Sequence, residues 1–211
     1  MDKKTKAEVI ERLKKVYFGA RPALKFSSDY ELLVAVILSA QCTDERVNIV
    51  TRELFKEHNT PKTMLTLSKD ELIGFIRPCG LYNSKAENIL KTSESLIEKF
   101  GGVVPRDFND LLSLNGVGRK TADVMTAVAF NGDAIAVDTH VFRVSRRIGL
   151  AAGDTPLKVE QELMRAIDKR DWSNAHHYIL WHGRKVCKAK TPACGECFLK
   201  DICEKNGVKN D

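Results

Sequence analysis

The chain has 211 residues, enough for one large domain or two small ones with a substantial core. Hydrophobic residues make up 43% and charged residues 29%, an ordinary globular balance, and the net charge of +6 suits a polyanionic partner without singling one out. The longest apolar run, Leu32 to Leu38, is far short of the ~20 residues of a membrane helix, and the charged N-terminus lacks a signal-peptide core. We therefore expect a cytoplasmic protein with no membrane partner.

The first part of the chain predicts a series of helices. Apolar residues recur at helical spacing over residues 5–18. Ser28 with Glu31 forms a capping-box pattern before a segment that is apolar on nearly every side, so we expect that helix at the centre of a core. Ser68 with Glu71 repeats the capping-box pattern before another apolar segment.

Further helix signals continue to the end of the chain. Pro61 suits the first position of a helix. The remaining predicted helices span residues 84–100, 141–149, 156–168 and 173–186. No segment alternates with the two-residue period of a strand, so we predict an all-α protein of about ten helices. A domain boundary could lie near the turn at Asn131-Gly132.

Cysteines cluster at the end of the sequence with the spacing C-x6-C-x2-C-x5-C, at Cys187, Cys194, Cys197 and Cys203. Four thiolates so close in sequence can surround one metal centre, and sulfur ligands select zinc or an iron–sulfur cluster. Structural zinc sites more often use paired C-x2-C units, so the wider gaps favour the cluster over zinc. The other two cysteines, Cys42 and Cys79, stand alone and are predicted to be small buried hydrophobes.

A glycine-rich turn, Asn115-Gly116-Val117-Gly118, precedes a predicted helix start at Lys120. A phosphate-binding P-loop is excluded, because Arg119 occupies the position where that loop needs glycine. A helix, a tight glycine turn and a second helix remain. Backbone amides at such a turn can approach a DNA phosphate closely, although a plain helix–helix corner would have the same pattern.

Two charged residues flank the turn at Asn131-Gly132. Lys120 is placed at a helix N-terminus, where the helix dipole disfavours a cation and so favours a neutral, nucleophilic amine. Asp138 follows the apolar run from Ala134 to Val137 and precedes a helix, where it can cap the helix and stabilise nearby positive charge. The alternatives are a solvated surface lysine and a purely structural N-cap.

These motifs together resemble the helix-hairpin-helix DNA glycosylase superfamily, and within it the endonuclease III family. The resemblance covers essentially the whole chain, in residues 38–44, 80–86, 114–122 and 136–144 and in the four-cysteine pattern. It implies two helical domains with a DNA-binding cleft between them. One is a six-helix barrel at residues 22–132 that carries the helix-hairpin-helix. The other joins residues 1–21 and 133–211 and holds a [4Fe–4S] cluster.

The resemblance also implies an activity: removal of oxidised pyrimidines from duplex DNA, followed by β-elimination at the abasic site. Lys120 would attack the sugar C1′ and form a Schiff base, and Asp138 would stabilise the developing positive charge. The family's adenine-excising branch, which lacks the lysine nucleophile, is the nearest competing assignment. A non-catalytic DNA-binding module is a second alternative, but such a module would not need this lysine and aspartate.

Further residues receive roles from the same resemblance. Gln41 would fill the space left by the flipped base and Leu81 would enter the duplex as a wedge, although Leu81 could instead be a core leucine. The other DNA contacts implied are Gly116, Gly118, Arg119, Thr139 and His140. The resemblance further implies a monomeric, nucleoid-associated enzyme whose partner is double-stranded DNA with an oxidised pyrimidine or an abasic site. Asn115 replaces a common family proline, and we expect the hairpin to persist.

Overall fold

The computed structural model describes residues 1–20, 23–130 and 135–208, and these ranges contain no β-strand. Their eleven α-helices, in chain order, are α1 (Lys3–Val16), α2 (Asp29–Ser39), α3 (Asp44–Leu54), α4 (Pro61–Met64), α5 (Lys69–Ile76), α6 (Tyr82–Phe100), α7 (Phe108–Leu112), α8 (Arg119–Val124), α9 (Thr139–Ile148), α10 (Pro156–Ala166) and α11 (Trp172–Lys185). The all-α prediction is therefore confirmed. No helix in the described ranges is both long and apolar enough to cross a membrane.

The chain divides into two compact units, Pro22–Phe130 and Met1–Arg21 with Asn131–Asp211. The predicted turn at Asn131-Gly132 lies outside the described residues. In the unit Pro22–Phe130, every residue from Leu32 to Leu38 is buried, as expected for a helix that is apolar on all sides. Helix α2 is therefore at the centre of that core, and it packs against α3, α6 and α8.

Helix starts in this unit follow the capping signals of the sequence, with one difference. The predicted box at Ser68 and Glu71 is confirmed in both directions. Ser28 does cap α2 by accepting a hydrogen bond from the backbone N–H of Glu31. The reciprocal half of that box is wrong, because the Glu31 carboxylate accepts a hydrogen bond from the N–H of Ser27, at 2.6 Å, instead of from that of Ser28.

The second unit joins the N-terminal helix to the C-terminal ones. Helix α1 buries Val9 and Leu13 and packs against α10 and α11. The Arg12 guanidinium donates to both carboxylate oxygens of Asp201, at 2.7 and 2.9 Å, and to the carbonyl of Phe198 at 3.0 Å. These bonds fix α1 to the cysteine-rich tail of the chain.

Several helices begin one or two residues earlier than predicted, and two of these starts bear on the candidate site. Helix α6 begins at Tyr82 instead of residue 84, directly after Leu81, whose backbone is left-handed. Helix α9 begins at Thr139 instead of residue 141, directly after Asp138, which caps it. Helix α8 continues into a π-helical turn at Met125–Ala129.

Candidate active site and cluster site

The glycine hairpin is anchored on helix α6. The backbone carbonyl of Asn115 accepts a hydrogen bond from the Thr92 hydroxyl at 2.7 Å. Leu114 and Val117 are buried, and the Val117 N–H donates to the Leu114 carbonyl at 3.2 Å. The turn therefore forms with asparagine in the place of the family's common proline.

The two glycines of the hairpin serve different purposes. Gly116 has a φ of +72°, and a Cβ at this position would lie 2.8 Å from the Cβ of Asn88. Gly118 has an extended backbone with a φ of −88°, and a Cβ there would meet no atom within 4 Å. The fold therefore requires glycine only at position 116. At Gly118 there is open space beside the N-terminus of helix α8.

Lys120 is exposed and is the second residue of helix α8. Its ammonium meets no carboxylate within 4 Å in the described ranges, so none of those groups holds it in an ion pair. The neighbouring Arg119 places its guanidinium 5.4 Å from the centre of the Phe108 ring. No carboxylate of the described ranges therefore competes with a bound molecule for Lys120. The contact with Phe108 helps to orient the Arg119 side chain.

Asp138 is half-buried and caps helix α9 in the other unit. Its Oδ1 accepts a hydrogen bond from the backbone N–H of Val141 at 2.7 Å. The buried residues Ile135 to Val137 hold the segment immediately before it. The predicted N-cap is confirmed, and the cap fixes the carboxylate in one orientation.

Thr139 and His140 follow Asp138 in the first turn of α9. Thr139 is exposed, and His140 is half-buried. Burial lowers the pKa of His140, and the nearby Asp138 carboxylate opposes that effect. Arg143 Nη2 lies 3.2 Å from His140 Nδ1, a contact that suits a neutral imidazole accepting a hydrogen bond.

Gln41 and Leu81 share an unusual backbone conformation. Their φ angles are +53° and +48°, the left-handed region that residues other than glycine seldom adopt. Both side chains are exposed, and Leu81 is 55% accessible. The alternative of a core leucine at position 81 is therefore wrong. Such conformations persist only where the surrounding structure enforces them.

Lys85 is one of the buried charged residues that were not identified from the sequence. Lys85 is only 4% accessible, and its Nζ donates to the backbone carbonyls of Leu38, Ala40 and Cys79 at 2.8, 2.7 and 2.9 Å. Burial lowers the pKa of this ammonium. The available signal was its position four residues before Ile89, on the buried stripe of α6.

The four clustered cysteines line one pocket together with buried His182. Backbone N–H groups of Leu199 and Lys205 donate to the sulfurs of Cys197 and Cys203, both at 3.4 Å. In the described ranges no three histidine, cysteine or acidic side chains are close enough to hold a single metal ion. The sequence spacing of these four cysteines fits an iron–sulfur cluster better than one zinc ion.

The basic residue Arg147 supports this cysteine loop. The Arg147 guanidinium donates to the carbonyls of Lys188 and Ala189 at 2.7 and 2.9 Å, and it lies 3.8 Å from the sulfur of Cys187.

Of the two isolated cysteines, Cys79 is buried as predicted, but Cys42 is only half-buried. Both lie in the unit Pro22–Phe130, away in sequence from the cluster loop.

Comparison with known proteins identifies the family. Residues 34–169 match the family of HhH-GPD superfamily base excision DNA repair proteins. Residues 187–203 match the iron-sulfur binding domain of endonuclease III, a range that begins and ends at the first and last clustered cysteines. The expected [4Fe–4S] cofactor is thereby confirmed.

Relatives and solved structures cover nearly the whole chain. Endonuclease III of Haemophilus influenzae is 46% identical over 204 residues, 97% of each chain. Endonuclease III of Bacillus subtilis is 47% identical over 203 residues, which is 96% of this chain and 92% of the relative. A trapped covalent endonuclease III–DNA intermediate is 45% identical, with a TM-score of 0.92 over 97% of both chains.

More distant structures share the fold alone. A thermostable thymine-DNA glycosylase has a TM-score of 0.84 at only 21% identity, over 96% of both chains. Identity above 40% along the full length is a much closer relationship. The chain belongs to the HhH-GPD superfamily of base excision DNA repair proteins and, within it, to the endonuclease III family.

Proposed function

We propose that this chain, a bifunctional DNA glycosylase and abasic-site lyase of base excision repair, acts on oxidised pyrimidines in duplex DNA through a Schiff base on Lys120. The observation that carries the proposal is an exposed lysine, with no carboxylate of the described ranges beside it, directly after a hairpin with open space at Gly118.

The reaction follows from the two side chains. The neutral amine of Lys120 attacks the sugar C1′ while the bond from C1′ to the base breaks and the base leaves with a proton. Positive charge develops on the sugar, and the Asp138 carboxylate stabilises it electrostatically. The bond from C1′ to the ring oxygen then breaks, the ring oxygen takes up a proton, and the nitrogen lone pair forms the C=N bond of a protonated Schiff base. This Schiff base acidifies the C2′ proton. Removal of that proton expels the 3′ phosphate and cleaves the strand.

DNA would be held by backbone contacts and opened by two exposed side chains. We propose that the amides of the hairpin at Gly116 and Gly118 receive a phosphate, and that Arg119, Thr139 and His140 contact the backbone nearby. The target base must leave the stack before its sugar can react. Gln41 and Leu81, both exposed, would fill the vacated space and separate the neighbouring bases.

The two units would act as the two domains of the family, a barrel at residues 22–132 and a cluster domain at residues 1–21 and 133–211.

We propose that Cys187, Cys194, Cys197 and Cys203 hold the [4Fe–4S] cluster, which when bound cross-links the loop between them. We further propose a monomeric, cytoplasmic enzyme that associates with the nucleoid. Anaerobically purified protein should contain about four iron and four sulfide per chain, whereas stoichiometric zinc without colour would contradict this ligand set.

A panel of duplexes tests the activity. We expect the wild-type chain to excise oxidised pyrimidines and to cleave preformed abasic sites, and to leave undamaged pyrimidines and oxidised purines in place. Lys120→Gln should lose both excision and cleavage while retaining salt-sensitive DNA binding, because phosphate contacts supply most of the affinity. Preference for a purine lesion, or strand cleavage by Lys120→Gln, would contradict the proposed function.

A further inference from the structure

Lys85 lies where two exposed segments of the unit Pro22–Phe130 meet. Its Nζ donates to the carbonyls of Leu38 and Ala40 at the end of helix α2 and to the carbonyl of Cys79 in the turn before helix α6. An ammonium has three donors, and all three are used. Gln41 follows the first of these segments, and Leu81 follows the second. The buried Lys85 side chain thus connects the segment before Gln41 to the segment before Leu81.

The bonds control the backbone close to each exposed residue. The Ala40 carbonyl belongs to the same planar peptide unit as the N–H of Gln41, so the bond from Lys85 orients the peptide that enters Gln41. On the other side, the Leu81 carbonyl accepts from the backbone N–H of Lys85 at 3.1 Å. Lys85 therefore holds Leu81 both through Cys79 and through its own backbone.

Both controlled residues have backbones that require such support. Left-handed conformations of non-glycine residues cost on the order of 1–3 kcal/mol and relax unless neighbouring contacts enforce them. The Lys85 ammonium meets no carboxylate within 4 Å in the described part of the chain, and the three carbonyl dipoles stabilise its charge. A second contact, from Arg46 to the carbonyl of Pro78 at 3.4 Å, braces the same turn more weakly.

We propose that Lys85 is a positioning residue for base extrusion, which fixes the segments of Gln41 and Leu81 relative to each other so that the two side chains enter DNA together. It acts through the backbone of these segments and does not touch DNA or the reacting sugar. This inference rests on the proposed roles of Gln41 and Leu81. It predicts a defect in opening the duplex and an intact Schiff-base step.

The test is a double-mutant cycle measured by single-turnover excision of an oxidised pyrimidine from duplex DNA. Lys85→Met removes all three donors at similar size, and we expect excision to slow at least about tenfold, since a misplacement of about 1 Å can cost ~100-fold. In a Gln41→Ala/Leu81→Ala background the same change should cost less than about threefold, because the groups it positions are gone. Lys91→Met, an exposed lysine on the same helix α6, is the control and should leave the rate unchanged.

Trapping on a duplex with a preformed abasic site separates this inference from the proposed function. There no base has to leave the stack, so Lys85→Met should form the borohydride-trapped complex nearly as well as the wild type. Absence of trapping by the wild type would instead refute the Schiff-base proposal itself. If circular dichroism shows that Lys85→Met does not fold, Lys85→Gln, which keeps two donors, takes its place. Equal rate losses in both backgrounds, or an unchanged rate, would overturn the role of Lys85.

Discussion

Asp138 combines a structural and an electrostatic task in one carboxylate. It caps helix α9 through Val141 and would stabilise positive charge on the sugar. Asparagine caps helices as well as aspartate does, so Asp138→Asn should change the free energy of unfolding little. Because the negative charge is lost, we expect excision to slow ~100-fold or more. Urea unfolding and single-turnover excision measure the two effects.

Asp138→Ala provides the comparison, since it removes both the cap and the charge. It should lower the free energy of unfolding by about 1 kcal/mol relative to Asp138→Asn, with a similar loss of excision. If Asp138→Asn excises normally, the carboxylate is only a helix cap.

At the scale of single residues, the sequence predicted local capping better than backbone conformation. The N-cap at Asp138 was predictable because the cap and the helix that it begins are adjacent in the sequence. The left-handed backbones of Gln41 and Leu81 were not predictable, because neither residue type marks that conformation. Lys85 was missed because its partners are backbone carbonyls up to 47 residues away, which no side-chain pattern reveals.

The helix-hairpin-helix element offers a matched pair of glycine substitutions. Gly116→Ala puts a Cβ into a left-handed position 2.8 Å from Asn88, so we expect it to lower the free energy of unfolding by roughly 1–3 kcal/mol. Gly118→Ala meets open space and should leave that free energy nearly unchanged. It should nevertheless weaken DNA binding, because the methyl group would stand where a phosphate approaches the hairpin.

Thermal unfolding and DNA binding at fixed salt measure this pair. Equal losses of stability from the two substitutions would contradict the structural distinction between the glycines. Unchanged DNA affinity in Gly118→Ala would contradict the hairpin as a phosphate site.

Helix positions were predictable because their caps and periodicities are local. The pair Ser68 and Glu71 defines the start of α5 correctly, since both partners lie within one turn. The same pattern at Ser28 and Glu31 was half wrong, because the Glu31 carboxylate bonds to Ser27. The early start of α6 was missed because it depends on the conformation of Leu81.

Stability of the whole molecule should depend on pH through a buried histidine in α11. Burial lowers the pKa of His177 to about 4, well below the ordinary value of 6.5. The unfolded chain therefore binds a proton below pH 6.5 that the folded chain takes up only near pH 4. The contribution of His177 is fully present above pH 6.5 and is lost as the pH falls through this window, by up to about 3 kcal/mol.

Urea unfolding between pH 4 and pH 7 measures this dependence. His177→Gln cannot titrate and should reduce the slope of the curve between pH 6.5 and pH 4, while the share of buried His182, whose pKa burial also lowers to about 4, remains. Identical pH dependence of the wild type and His177→Gln would contradict the assignment.

At the scale of the whole chain, the proposed nucleophile and carboxylate belong to different compact units, Lys120 to Pro22–Phe130 and Asp138 to the other. Borohydride trapping on duplex DNA with a single oxidised pyrimidine tests the central claim most directly. The wild type and the control Lys91→Gln should form a covalent complex on a denaturing gel, and Lys120→Gln should form none although it still binds the DNA. A wild type that is not trapped, or undiminished trapping by Lys120→Gln, would contradict the Schiff base on Lys120.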